Sequence, residues 1–273
     1  MLSRLELLKS VLTGELYDES FWRRVRPEEF PVTHPVKKFL ARRIVKALER
    51  RGYRVMLPVT PSDQERDRRR RGKDHPALGF TMVGRLRLDN VEECIRRAVA
   101  DGIEGSVVEC GVWRGGASIL AKAVLEELKS DKELWLCDSF EGLPPPTFVE
   151  DRGYDFTPYN DFLGVSLETV QRNFELFGLL DERVRFLKGY FSESLTEPPM
   201  DRICVLRLDG DLYESTIQCL DALYHRVAPG GFVIIDDYGV LEPCRRAVHD
   251  YLDRTGRNPE IRDIDGTGVY LRV

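Results

Sequence analysis

A chain of 273 residues is long enough to bury a sizeable core, as one α/β domain or as a domain with an extension. Its formal net charge of -5 gives no global attraction to nucleic acid or to an anionic membrane, and no apolar stretch approaches the length of a membrane span. The opening "MLSRLELLKSVLTGELYDE" carries acids on a helical period and lacks the apolar run of a signal peptide, so a cytoplasmic location is expected.

Residues 1–85 read as a mainly helical extension. Leu5, Leu7, Leu8, Val11 and Leu12 make an amphipathic start, and "HPVKKFLARRIVKALERRGY" continues on a helical period. The charged stretch 62–75 reads as a mobile loop. Its basic run Arg68 to Arg71 is diluted by flanking acids, with a phosphate-binding patch as the alternative. "LDNVEECIRRAVADG" predicts a helix with Asp89 or Asn90 near its start and Gly102 after its end.

From residue 105 the texture alternates. "SVVEC" is a strand, "ASILAKAVLEELKS" a helix and "ELWLCD" a strand. "SLETVQRNFELFG" is a helix capped by Ser166, and "VRFLKGY" and "ICVLRLD" are strands. "STIQCLDALYHRV" is a helix, "GFVIIDD" a strand, "PCRRAVHDYLDRTG" a helix and "TGVYLRV" a closing strand. Short apolar strands alternating with helices predict an α/β domain over 86–273, a doubly wound and mostly parallel sheet with helices on both faces. In such sheets a ligand sits beyond the carboxyl ends of the strands. The six cysteines form no C-x-x-C pair, which leaves a zinc ribbon unsupported and makes buried thiols the reading.

Two places on this frame carry chemistry. "VVECGVWRGGAS" leads a strand into a helix through Glu109, Gly111, Gly115 and Gly116. This is not the G-x-G-x-x-G of a dinucleotide site, and a bare strand-to-helix turn is the alternative. The second place is acidic: Asp209, Asp211 and Glu214 follow one apolar run, and Asp236 and Asp237 follow another. A lone strand-end Asp is most simply a cap. Several converging on one crevice would repel one another unless a hard divalent cation such as Mg²⁺ joined them.

The acid before the first glycine, with Asp138 ending the next strand, resembles the class I (Rossmann-like) S-adenosyl-L-methionine methyltransferases. More specifically, "TMVGRLRLDN", "ECGVWRGGA", "CDSFEGLP", "RLDGDLYEST" and "PGGFVIIDDYG" resemble the macrocin O-methyltransferase family almost end to end. That resemblance implies Mg²⁺-dependent methylation of a sugar hydroxyl on a natural-product glycoside or related small-molecule acceptor. It also implies a homodimer or higher homo-oligomer built through the N-terminal helices, with no nucleic-acid or membrane partner.

By resemblance, Asp209, Asp236 and Asp237 are the metal ligands, with Asp209 also facing the methyl donor, and Asp211 is the general base. Cofactor contacts fall to Thr81 and Met82; to Glu109, Gly111, Val112, Trp113, Gly115 and Ser118; to Asp138, Ser139 and Phe140; and to Gly189, Tyr190, Phe191 and Ser192. Within these, Asp138 accepts from the ribose and Glu109 lies near the methionine amino group. Residues 144–165 match an acceptor lid. This lid, and His75 where the family leads one to expect an aromatic, are the departures from the pattern, and both bear on the acceptor. Competing readings are a catechol-type O-methyltransferase, a nucleic-acid methyltransferase using the Arg68 to Arg71 run, and a binding protein that kept the fold without catalysis.

Overall fold

The computed structural model describes residues 3–16, 22–24, 35–58, 62–74, 76 and 78–273; His75 lies outside them. Among the described residues four α-helices and two short strands lead into the sheet: α1 (Arg4–Leu12), β1 (Trp22–Arg24), α2 (Pro35–Glu49), β2 (Met56–Pro58), α3 (Asp63–Arg70) and α4 (Arg85–Ala100); α5 (Gly116–Glu127) follows β3 (Ser106–Cys110). The remainder runs β4 (Leu134–Asp138), α6 (Asn160–Leu163), α7 (Leu167–Leu176), β5 (Val184–Lys188), α8 (Phe191–Ser194) and β6 (Ile203–Leu208). It closes with α9 (Tyr213–Leu223), β7 (Val227–Ile235), α10 (Glu242–Thr255), β8 (Arg262–Asp263) and β9 (Val269–Arg272).

The seven-stranded sheet has the order β5-β4-β3-β6-β7-β9-β8. β3 to β7 are all parallel, and β9 enters antiparallel between β7 and β8. The expected doubly wound sheet is therefore present, with the strand order reversing between β3 and β6, the place where a crevice opens.

Both faces are covered. Val107, Val205 and Phe232 point to a core shared with α4, α5 and α7, while their neighbours Val108, Leu206 and Val233 point to a second core under α9 and α10. This two-sided burial is why the strands read as unbroken apolar runs. All six cysteines are buried and free.

Two local expectations change. Residues 63–70 form a helix, not a loop. Ser62 and Glu65 make a capping box, and acids in the first turn with Arg68, Arg69 and Arg70 in the last suit the helix dipole. Arg69 is buried, donates to the Met82 carbonyl at 3.0 Å and pairs with Asp74 at 2.6 Å, so the basic run is partly an anchor. α4 begins at Arg85, after Gly84 as its N-cap and not near Asp89, because Arg87 and Leu88 are buried and draw in an extra turn. Asp89 instead pairs with the buried Lys9, which also meets Glu92 at 2.7 Å. α1 packs into the main core through Leu5 and Leu12.

Candidate functional site

Register explains how the acids meet. Cys137, Cys110, Leu208 and Ile235 are paired in sequence across β4, β3, β6 and β7. The next residues, Asp138, Gly111, Asp209 and Asp236, therefore emerge side by side at the carboxyl edge. Gly111 turns at φ 87°, and a Cβ there would stand 1.8 Å from the Asp209 carbonyl oxygen; only glycine allows β3 and β6 to end this close together. Trp113, Phe140 and Asp211 also hold left-handed backbone at φ 48°, 57° and 64°. Such strain in non-glycine residues clusters where a loop is held for function.

The crevice over this edge has a volume of about 1170 Å³. A single drug-sized ligand occupies a pocket of about 300–1,000 Å³, so there is room for two molecules side by side.

At one end, carboxylates are spoken for by the protein. Asp138 accepts from the backbone N–H of Val112 at 2.6 Å and of Phe140 at 2.7 Å, which ties the glycine loop to the β4 exit. Burial raises its pKa, and these N–H donors pull the other way. The Ser139 hydroxyl adds a longer contact to Oδ1 at 3.4 Å, and Asp138 still lines the crevice, where a ligand can reach it. Glu109 is buried; Arg207 donates to Oε1 at 2.5 Å and the Ser118 hydroxyl to Oε2. Burial pushes its pKa up to about 7 against the pull of Arg207 and Ser118.

At the other end lie Asp209, Asp236 and Asp237, each offering an oxygen within 4.8 Å of the others. Asp236 is gripped on both oxygens, by Arg207 at 2.5 Å and by Arg87. Burial would raise its pKa, but the two guanidinium groups outweigh burial and hold it below the usual carboxylate range. Asp209 takes one bond from Arg207 at 2.9 Å. Asp237 is different: its Oδ2 is buried and finds no donor among the described residues. Burial, then the charges of Asp211, Asp209 and Asp236, drive its pKa well up. Asp211 is pushed up to about 8 by burial and then by Asp209 and Asp236.

A buried carboxylate oxygen without a donor, beside three other acids, is costly unless a cation joins it. The donor set suits a hard divalent ion. An Mg²⁺ octahedron at about 2.1 Å spans about 4.2 Å between opposite oxygens, comparable with the 4.8 Å spread of the three carboxylates.

The lid region covers this end. Pro144 to Thr147, Phe156, Tyr159 and Phe162 line the crevice. The segment is pinned at three points. Asp151 is fully buried and accepts from the N–H groups of Tyr213 and Glu214 at 2.7 and 3.0 Å, capping α9. Asn160 exchanges bonds with Leu143 at 3.0 and 2.9 Å, and the Trp113 indole donates to the Phe162 carbonyl at 2.9 Å.

Among the residues expected from sequence, Thr81, Met82, Glu109, Gly111, Val112 and Trp113 line the crevice, as do Asp138 and Ser139. So do Gly189 to Ser192 and all four strand-end acids, Asp209, Asp211, Asp236 and Asp237. Three stand outside its wall. Ser118 is buried behind Glu109, Gly115 packs on Val170 and Phe174 at the start of α5, and Phe140 turns into the core beside Phe186. Arg87 and Arg207 were missed. The signal was available for Arg207: one cation inside the apolar strand "ICVLRL" has to be paired.

The profile of the family Macrocin-O-methyltransferase (TylF) matches residues 2–273. The chain is 45% identical over 237 residues to 8-demethyl-8-(2,3-dimethoxy-alpha-L-rhamnosyl)-tetracenomycin-C 4'-O-methyltransferase of Streptomyces olivaceus, covering 85% of this chain and 90% of that protein. It is 44% identical over 220 residues to mycinamicin III 3''-O-methyltransferase of Micromonospora griseorubida, covering 78% of this chain and 86% of that one. The solved structure of the O-methyltransferase NovP superposes with a TM-score of 0.79 at 35% identity, covering 98% of this chain and 97% of that one.

Proposed function

The chain belongs to the macrocin-O-methyltransferase (TylF) family, and from that premise we propose that it methylates a sugar hydroxyl of a natural-product glycoside, with Mg²⁺ at the strand-end acids. It is an S-adenosylmethionine-dependent O-methyltransferase with the Rossmann-like α/β fold of class I. The sugar acceptor is supported by the relatives, one named for 4'-O-methylation of a rhamnosyl-tetracenomycin C and the other for 3''-O-methylation of mycinamicin III. The metal is supported by one observation above all: Asp209, Asp236 and Asp237 converge while the Asp237 Oδ2 lacks any donor among the described residues.

S-adenosylmethionine, when bound, supplies a methyl group on a positively charged sulfur. Asp138 lines the crevice as a charged acceptor for ribose hydroxyls, and Glu109 offers charge to the methionine ammonium; Thr81, Met82, Trp113 and Gly189 to Ser192 complete this end. A divalent cation held by Asp209, Asp236 and Asp237 would supply the positive charge that makes a weakly acidic sugar hydroxyl easier to deprotonate. Asp211 accepts that proton. Asp211 lines the crevice, and burial with the surrounding acids makes it a stronger base than an ordinary aspartate. Residues 144–165 cover the acceptor with Phe156, Tyr159 and Phe162, flat surfaces suited to a sugar ring or an aglycone, and keep water out.

Assembly belongs to the same reading. α2 exposes Val36, Phe39, Leu40 and Ile44 along one face, an apolar stripe that a second copy would cover, giving a homodimer or larger assembly. Sedimentation at several concentrations checks that part. No helix among the described residues is long and apolar enough to cross a membrane.

The test of the whole is an acceptor panel. Labelled S-adenosylmethionine is incubated with deoxysugar-bearing glycosides, nucleotide sugars and catechols. Transfer to a glycoside hydroxyl is expected; transfer to catechols alone would overturn the sugar assignment.

A further inference from the structure

β6 is buried along its whole length and apolar at five of six positions; the exception is Arg207. Its guanidinium reaches both ends of the crevice, meeting Glu109 at 2.5 Å, Asp209 at 2.9 Å and Asp236 at 2.5 Å. Arg87, from α4, has a narrower reach. It donates through Nη1 to the Asp236 oxygen that Arg207 leaves free, and through Nε to Asp265 at 3.2 Å. Asp265 is itself fixed, since its other oxygen accepts from the N–H groups of Thr267 and Gly268, both at 2.9 Å.

The chain makes room for Arg87. A Cβ at Gly268 would stand 2.9 Å from its Cδ, and one at Gly72 would stand 2.6 Å from its Nη2. Side chains are thus absent on two sides of an arginine that is only 5% exposed. Burying a guanidinium is expensive unless its geometry is fixed by partners. Here the fixed geometry runs from Asp265 through Arg87 to Asp236, and it ends on one of the three converging carboxylates.

We propose that Arg87 is a positioning residue for the divalent cation: anchored by Asp265, it sets the plane of the Asp236 carboxylate from the side opposite Arg207. The proposal rests on the metal reading given above. Arg87 forms no bond to Glu109 or Asp138, so its influence is confined to the acid end. Arg207, which bonds to both Glu109 and Asp236, acts on both ends. A lysine cannot replace Arg87, because a single ammonium on a flexible stem lacks the fork that spans two carboxylates.

The experiment is calorimetric titration of Mg²⁺, and separately of S-adenosylmethionine, into the acceptor-free protein, with Mn²⁺ binding followed by electron paramagnetic resonance. Arg87→Lys should weaken Mg²⁺ binding by roughly 10–100-fold, the usual cost of losing a partner that orients a metal ligand. Its S-adenosylmethionine affinity should stay at the wild-type value, and saturating Mg²⁺ should restore kcat. Asp265→Asn keeps the oxygen that holds the turn and replaces the one that accepts from Arg87 by an amide donor, so it should weaken Mg²⁺ in the same direction by a smaller factor. Arg207→Lys should weaken both ligands. Wild-type Mg²⁺ affinity in Arg87→Lys would overturn the proposal, as would equal losses of Mg²⁺ and cofactor. If Arg87→Lys does not fold, an unchanged Mg²⁺ affinity in Asp265→Asn overturns it instead. A wild-type protein that binds no Mg²⁺ removes the metal reading itself and the proposal with it, a result distinct from wild-type binding that the variants leave unaltered.

Discussion

The two ends of the crevice use the same residue type in opposite ways. At the glycine-loop end, Asp138 holds two backbone N–H groups and Glu109 is shared between Arg207 and Ser118, so each acid is already part of the scaffold. At the acid end, Asp236 takes one arginine on each oxygen while Asp237 keeps a buried oxygen with no donor among the described residues. The scaffold-bound acids are positioned to receive a polar organic ligand by their remaining lone pairs. The unpartnered acids are in debt for positive charge, which only a ligand can supply. Carboxylates that look alike in sequence are thus separated by what surrounds them.

Substitutions at the two ends should break this comparison in different ways. The largest effect belongs to Asp211→Asn, which should cut turnover by roughly two to four orders of magnitude, the usual size of a general-base contribution. Calorimetry should still show cofactor and Mg²⁺ binding; retained turnover would remove Asp211 from proton transfer. Asp237→Asn should raise the Mg²⁺ concentration for half-maximal rate, on the order of 100-fold, since affinity follows ligand charge. An unaltered Mg²⁺ dependence would mean that the lone oxygen serves something else. Asp138→Asn keeps one of the two acceptor oxygens that tie down the loop and loses the other together with the charge toward the ribose. S-adenosylmethionine affinity should fall by about 1.5–3 kcal/mol, roughly 10- to 150-fold, with Mg²⁺ dependence of the rate intact.

The smallest effect is on stability. Asp211 and Asp237 have folded pKa values raised above their unfolded ones, to about 8 for Asp211. Between the unfolded value near 4 and about 8 the native state holds the extra protons, so stability should fall as pH rises through that window. In chelator, the melting temperature should drop between pH 5 and pH 8.5 by about 2–4 °C for each kcal/mol lost, and Mg²⁺ should recover the loss at pH 8.5. A melting temperature that does not respond to Mg²⁺ at pH 8.5 would contradict the account of the acid end.

Much of this was legible before the fold was known, for physical reasons. Two-sided burial writes an unbroken apolar run, so β3, β4, β6 and β7 could be read directly, and acids at the ends of such runs fall at the carboxyl edge of a parallel sheet. What was not legible depends on partners distant in sequence. Asp236 differs from Asp237 because two arginines reach it, Arg207 from 29 positions earlier and Arg87 from 149. The start of α4 follows from burial of Arg87 and Leu88, which no local signal announces. α3 carries a local signal, since Ser62 and Glu65 spell a capping box, but its highly charged sequence has no apolar stripe to mark a helix. Ser118 and Phe140 belong to matching motifs, yet one supports Glu109 from behind and the other fills core, a distinction that only packing makes.

The central claim is that the acid end works with a divalent cation. The most direct test is the rate of methyl transfer to an accepted glycoside in excess chelator, before and after Mg²⁺ is added back. Negligible transfer in chelator, restored by Mg²⁺ with S-adenosylmethionine affinity the same in both states, is the result expected. Full activity in chelator would contradict the account and leave the unpartnered Asp237 oxygen to be explained by acid–base work without a metal.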